Sequence, residues 1–377
     1  MNNLQRLHEA GVSIWLDTLS RELLESGAFE EHVRDYGVTG ATSNPTIFAK
    51  AITGAENRYD EQLAAAARRG LRDPQALFFE LGLEDIRRAA TVLRPVYDAT
   101  SGEDGYVSFE CTPDVADDAE ATVAQALELW QRLDLPNVLI KVPATEAGPQ
   151  AIEELTARGV SVNVTLLFSL GRYEQVMESY LRGLERRASA GESLEGIASV
   201  ASFFVSRVDS KADPLLEEGS PLRGRVAIAN AHRAYGRYLA RFSTDRWRAL
   251  ERQGARAQRP LWASTGTKDP SYSDVLYVEE LIAPGVINTM PEQTLRAFAD
   301  HGDASRAVEI DVEVAERLVE EATAAGVDLD AITGRLEREG VESFCDSYAE
   351  LLRCIESGLA RLEAPDAERV ASGGESR

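Results

Sequence analysis

The chain has 377 residues, 44% hydrophobic and 27% charged, an ordinary globular composition with enough apolar material for one large core or two smaller ones. Against 40 lysines and arginines stand 63 aspartates and glutamates, a formal charge of -23, so the long-range field repels nucleic acid and anionic membrane surfaces. An anionic small molecule remains open as a ligand if a few basic side chains converge in one cleft.

Cys111, Cys345 and Cys354 are too few and too unevenly spaced for a disulfide framework or a zinc site. No apolar leader opens the sequence and no stretch is long enough to span a bilayer, so the expected location is a reducing cytoplasm.

In chain order, short apolar runs alternate with helical stretches. The runs count to eight, at 13–17, 38–44, 106–111, 138–142, 161–165, 199–204, 260–264 and 285–288. The blocks 114–133, 145–158, 170–188 and 224–242 between them place apolar residues on one helical face and charge on the other. Repetition of strand and helix requires parallel strands. Eight such units predict an α/β protein closed as a (β/α)8 TIM barrel rather than an open doubly wound sheet. Additional helices are expected over 56–69 and 74–97, and a helical C-terminal cap over 311–362. Residues 1–362 then form a single barrel domain, while 363–377 lose periodicity and read as a disordered tail.

Barrels of this kind carry their chemistry at the C-terminal ends of the strands. Polar residues interrupt the runs there: Asp17 in the first, Thr42 and Asn44 in the second, Glu110 in the third, and Lys141 in the fourth. Asn163 and Thr165 follow in the fifth, Ser202 in the sixth and Ser264 in the seventh. Lys141 is the most informative. It lies in Asn137-Val138-Leu139-Ile140-Lys141-Val142-Pro143, a run that reads as a buried strand. Burial disfavours the charged ammonium, and a neutral amine attacks carbonyl carbons to give Schiff bases.

Each residue has a plainer alternative. The Lys141 stem could pack while its head reaches water. Asp17 could cap a helix beside Thr18, and Asn44 could cap one opened by Pro45. Glu110 could be an edge residue facing solvent, and Asn163 could satisfy backbone groups at a bulge. That all of them fall on one rim carries the inference. Arg207 follows the sixth run and Lys268 the seventh, with Gly266 permitting a turn, near the later strands where barrels often bind phosphate. Alternatively they pair with Asp209 and Asp269 on the surface. The histidines His8, His32, His232 and His301 lack paired ligand spacing.

Three stretches resemble the transaldolase family: Thr39-Gly40-Ala41-Thr42-Ser43-Asn44-Pro45-Thr46, Val138-Leu139-Ile140-Lys141-Val142-Pro143-Ala144-Thr145, and Val162-Asn163-Val164-Thr165-Leu166-Leu167-Phe168-Ser169. The likeness runs from about Ser13 to about Phe298 in the order and spacing of that family's strands. It implies a class I aldolase barrel in the non-oxidative pentose phosphate pathway. The implied reaction moves a dihydroxyacetone unit, converting sedoheptulose 7-phosphate and glyceraldehyde 3-phosphate to erythrose 4-phosphate and fructose 6-phosphate. No metal or organic cofactor is implied. The implied partners are phosphorylated sugars; the charge already argues against nucleic acid and membrane, and the assembly is left open as a monomer or homodimer.

By the same resemblance Lys141 forms the Schiff base and Asp17 is acid and base for carbon–carbon cleavage. Glu110 with Thr165 holds a proton-shuttling water. Thr42, Asn44, Asn163 and Ser202 hold the retained three-carbon unit, and Arg207 with Ser264 clamps the phosphate. Many members carry an arginine two places after that serine, whereas this chain reads Ser264-Thr265-Gly266-Thr267-Lys268. Lys268 is the expected substitute, a point charge without arginine's fork. The helical region beyond Phe298 reads as a subgroup's extended cap. The rivals are a fructose-6-phosphate aldolase, usually shorter and lacking an acid matching Glu110, and a non-catalytic sugar-phosphate-binding barrel.

Overall fold

Eight parallel strands pair in chain order: β1 (Ser13–Leu16), β2 (Gly40–Thr42), β3 (Tyr106–Glu110), β4 (Val138–Pro143), β5 (Val162–Leu167), β6 (Ser199–Phe204), β7 (Arg259–Ala263) and β8 (Ile287–Met290). β8 pairs back onto β1, which closes the expected barrel. The structure is a computed structural model that describes residues 2–43, 48–49, 58–306 and 310–363. The anticipated additional helices are Asp60–Arg68 and Pro74–Ala99.

The departures from the sequence reading have local causes. β8 lies two residues later than the apolar run because Gly285, at φ +77, turns the chain first. β5 continues to Leu167 across a register shift between Val164 and Leu167, where Leu166 takes φ +58. The 114–133 block divides into a short 3-10 turn, Pro113–Val115, and a helix, Ala119–Leu133, because the Asp118 carboxylate accepts from the Glu120 and Ala121 N–H groups and starts the helix afresh. The C-terminal cap divides at Gly326, φ +96, into Val312–Ala324 and Leu329–Glu363. The last helix thus includes Glu363, one residue past the expected domain boundary; the remainder of the expected tail lies outside the described residues.

Paired residues in a parallel sheet face the same side, and the registers climb one residue from each strand to the next around the barrel. Axis-facing side chains therefore gather in layers of four drawn from alternate strands. The floor is Gly40, Leu139, Val200 and Ile287. Above it come Trp15, Ser108, Asn163 and Leu261, then Thr42, Lys141, Ser202 and Thr289. The top layer is Asp17, Glu110, Thr165 and Ala263. The lower layers are mainly apolar and the upper two mainly polar. Gly40 is demanded by the floor, since a Cβ there would lie 2.3 Å from the Trp15 indole. The indole N–H in turn donates to Asp104 Oδ1 at 2.8 Å, so the ring is buried with its polar edge satisfied.

Outside the barrel, the Leu329–Glu363 helix braces the loops that follow β5 and β6. Gly340 lets it approach Leu166 at the register shift, where a Cβ would meet the leucine at 3.1 Å. Glu339 pairs with Lys211 at 2.8 Å on the helix Ser206–Ala212. That short helix is anchored from the other side by Asp209, which accepts from Ala227 N at 2.7 Å and Tyr277 Oη at 2.9 Å. Burial pushes the Asp209 carboxyl up to about 7.

Two outcomes follow from this packing. Gly40→Ala should lose about 1–3 kcal/mol of stability through overpacking against Trp15, measured by urea unfolding; an unchanged midpoint would mean the floor has slack. In the folded state Asp209 keeps its proton up to about pH 7, whereas unfolded chains release it near about pH 4. Stability is therefore lost as pH rises between those values. Asp209→Asn should melt higher than wild type at pH 8, with the gain shrinking toward pH 4. A variant that melts lower at pH 8 would refute that assignment.

Candidate active site

The β3–β4–β5 registers set Glu110 beside Lys141 and Lys141 beside Asn163. Lys141 Nζ lies 3.5 Å from Glu110 Oε2, with the two side chains 11% and 9% exposed. That separation exceeds the roughly 2.8 Å of a tight charge-assisted hydrogen bond, so the amine is held near the carboxylate without being clamped to it. Its head stays inside the mouth rather than reaching out to bulk water. Glu110 faces inward from a barrel that has no edge strand at β3. Burial raises its carboxyl above the usual carboxylate range, and the facing Lys141 charge opposes that rise only in part.

One layer below, the Asn163 amide is fixed from both ends. Its Nδ2 donates to Ser108 Oγ at 2.9 Å, and Ser202 Oγ donates to its Oδ1 at 2.7 Å. The bulge that β5 does contain begins after Asn163, so this side chain is not spent on bulge backbone. Thr165 sits within that irregular stretch. Its hydroxyl is buried and has no hydrogen-bond partner, and bulges of this kind re-aim side chains beside active sites. Thr42 is buried at the end of β2, paired with Ser108. Asn44 lies outside the described residues.

Asp17 follows β1 at the rim, where Thr18 Oγ1 donates to its Oδ1 at 3.0 Å. It caps no helix, because Ser20 caps Arg21–Glu25. Burial pushes the Asp17 carboxyl up, while the Thr18 hydrogen bond and then the charges of Lys268 and Lys141 pull it back. Asp17 therefore feels both lysines of the mouth.

The loops after β6 and β7 supply the positive end. Arg207 lies over the Phe204 ring, 5.4 Å from its centroid, and burial lowers its guanidinium. The suggested partner Asp209 is engaged elsewhere, and among the described residues no carboxylate forms an ion pair with Arg207. Ser264, at φ +55, sets its Oγ 3.0 Å from Ser206 Oγ. Lys268 is exposed on the same rim, and its suggested partner Asp269 instead accepts from Ser271 N and Oγ. Lys268, Ser206, Arg223 and Tyr272 line a cleft of about 350 Å³.

All the described candidates thus share one end of the barrel. Ser108, Ser206 and Thr289 also belong to it and were not singled out from the sequence. Ser108 had a legible signal, a serine at an inward position of the run 106–110. Thr289 fell beyond the run drawn for the eighth strand. A further signal was available in the basic residues: 36 are arginine and four are lysine, at positions 50, 141, 211 and 268. Of the three described lysines, two stand at this mouth.

The family model described as transaldolase/fructose-6-phosphate aldolase matches residues 14–355. A transaldolase of Saccharopolyspora erythraea is 52% identical over 363 residues, covering 95% of this chain and 98% of that one. Transaldolases of Acidothermus cellulolyticus, over 366 residues, and Thermobifida fusca, over 363, are each 50% identical; both alignments cover 95% of this chain and, respectively, 97% and 98% of theirs. The match extends into the C-terminal helices, so the cap beyond Phe298 is shared with these relatives. A barrel of this topology, the lysine on its fourth strand and agreement along nearly the whole sequence lead to one conclusion: the chain belongs to the transaldolase/fructose-6-phosphate aldolase family.

Proposed function

We propose that this chain transfers a dihydroxyacetone unit between sugar phosphates through a Schiff base on Lys141. The supporting observation is the buried Lys141 amine 3.5 Å from the buried Glu110 carboxyl, with the partnerless Thr165 hydroxyl in the layer above. The amine adds to the ketone of fructose 6-phosphate or sedoheptulose 7-phosphate. The carbinolamine then loses water, its proton supplied by Glu110 through a water that Thr165 helps to hold. A carboxyl raised by burial is suited to carrying that proton.

In the resulting iminium the nitrogen draws electrons from the breaking carbon–carbon bond. Asp17 removes the proton of the hydroxyl whose carbon departs as aldehyde, leaving an enamine on Lys141. An incoming aldehyde reverses these steps, and water finally hydrolyses the imine. Thr42, Asn44, Asn163 and Ser202 hold the three-carbon unit between the two half-reactions. The Asn163 amide can do this because Ser108 and Ser202 hold its orientation. Arg207 and Ser264, with Lys268 as a point charge, take the phosphate, the local positive charge that an otherwise acidic chain needs for an anionic substrate.

A non-catalytic phosphate-binding barrel fits less well. Lys141 lies a layer beneath Asp17 and Glu110, so a phosphate reaching it would have to pass two buried acids, neither of which is a cationic phosphate ligand. A simple aldolase would have less use for the Glu110 acid and for the wall that retains the three-carbon unit. The three free thiols suit a reducing compartment, and the cytoplasm is the proposed location.

The test is transfer from fructose 6-phosphate to erythrose 4-phosphate, read as sedoheptulose 7-phosphate formed. Lys141→Ala should abolish it while the protein stays folded; residual transfer by a folded variant would contradict the proposal. Glu110→Gln should slow exchange of the ketone oxygen with water, and Asp17→Ala should slow cleavage, by about 10²-fold or more each. Wild-type rates in single-turnover assays would remove those roles.

A further inference from the structure

Thr289 is polar, buried and unused by the scheme above. It is 4% exposed, and its Oγ1 has no hydrogen-bond partner. Burying a hydroxyl without a partner costs about 1–3 kcal/mol, so its presence needs a reason. Its environment gives no structural one. The registers put Thr289 beside Trp15 on β1, and two places after the axis-facing Ile287, so it faces the barrel interior. The neighbouring inward residues on β7 are Leu261 and Ala263, both apolar.

Its layer contains Thr42, Lys141 and Ser202 as well. Layers in eight-stranded barrels are usually filled by bulky branched residues meeting at the axis. Here three short hydroxyl side chains share the layer with one lysine in place of bulky branched residues. With eight strands in sequence order, β8 stands across the barrel from β4, so Thr289 is the residue of this layer opposite Lys141. Ser202 already donates to Asn163. Thr289 does not donate inside the protein, and its strand is anchored: Thr265 Oγ1 donates to Asn288 Oδ1 at 2.8 Å and approaches the Thr289 carbonyl at 3.2 Å.

We propose that Thr289 is a further substrate-binding residue of this reaction, its hydroxyl hydrogen-bonding a hydroxyl of the three-carbon unit from the β8 side, across from Lys141. The inference rests on the Schiff-base reading of Lys141. A dihydroxyacetone unit carries one hydroxyl on each side of the iminium carbon. With Asn163 and Ser202 holding one, Thr289 holds the other. The unit is then tied covalently to Lys141 and by hydrogen bonds to Thr42 and Asn44, to the β5–β6 wall and, as a third such tether, to β8. Loss of the third tether would let it swing between half-reactions, when water competes with the acceptor aldehyde.

The test compares Thr289→Val, which keeps the shape and removes the hydroxyl, with Thr289→Ser, which keeps the hydroxyl. Three quantities are read on the full chain: exchange of the ketone oxygen with water, kcat/KM for fructose 6-phosphate, and the share of the three-carbon unit released as free dihydroxyacetone. Thr289→Val should melt no lower than wild type, because an unsatisfied buried hydroxyl has been removed. It should still exchange oxygen, lose about tenfold in kcat/KM, and release a larger share as dihydroxyacetone; Thr289→Ser should restore both. If the valine variant does not fold, Thr289→Ala is read on the same scale. Wild-type values in the hydroxyl-free variant, or losses that serine does not restore, would overturn the proposal. Failure of the wild-type protein to exchange oxygen would overturn the Schiff-base reading instead, a result the variants cannot mimic.

Discussion

An amine placed inside a closed barrel, within reach of one carboxylate but not locked to it, is the constraint around which this molecule is arranged. Removing an ammonium from water is costly, and a tight ion pair would stabilise the charged form, which has no lone pair for attack. At 3.5 Å the Lys141–Glu110 pair is longer than a tight charge-assisted hydrogen bond and still keeps a proton carrier at hand. The floor of the barrel below the pair is closely packed. Trp15 fills the floor because Gly40 has no side chain, and Asp104 satisfies the indole. Closure of the sheet satisfies the strand backbone and removes the edges from which water could reach the site sideways.

Layering explains why the chemistry is so concentrated. Alternate strands deliver their inward residues to common heights, so each polar substitution at a strand end meets the others without any long-range search by loops. Lys141 shares its height with Thr42, Ser202 and Thr289; the acids Asp17 and Glu110 share the next with Thr165. The phosphate end follows a different rule. Arg207 and Lys268 are carried on loops and a short helix, and their placement depends on packing from outside the barrel: Asp209 against Ala227 and Tyr277, and the C-terminal helix against Lys211 and Leu166. In a chain of net charge -23, the anion site proposed at Arg207 and Lys268 would depend on such bracing to hold the two cations together.

The recurrence of eight apolar runs separated by helical blocks was enough to read the barrel, and the polar residues at the strand ends pointed to the candidate site. Lys141 was legible because an ammonium contradicts its aliphatic neighbours, and Glu110 and Asn163 because they break the same pattern. Local turn chemistry was harder. The position of β8 was set by a left-handed glycine at 285 and the division of the C-terminal cap by another at 326, and neither conformation can be told from composition. Thr289 was lost with the misplaced end of β8. Ser108 had a signal in its inward position, but that gained meaning only when the register set it against Asn163. Asp209 is engaged by Ala227 and Tyr277 from distant segments, and Asp269 by Ser271 in its own turn, so neither pairing with Arg207 nor with Lys268 could be settled from the sequence.

The central claim concerns which nitrogen reacts, and it is best tested by trapping. The protein is mixed with fructose 6-phosphate, reduced with borohydride, digested, and its lysine-bearing peptides are compared by mass spectrometry. A three-carbon adduct confined to the peptide carrying Lys141 is the predicted result. An adduct on the peptide of Lys211 or Lys268, or none on any lysine, would contradict the account.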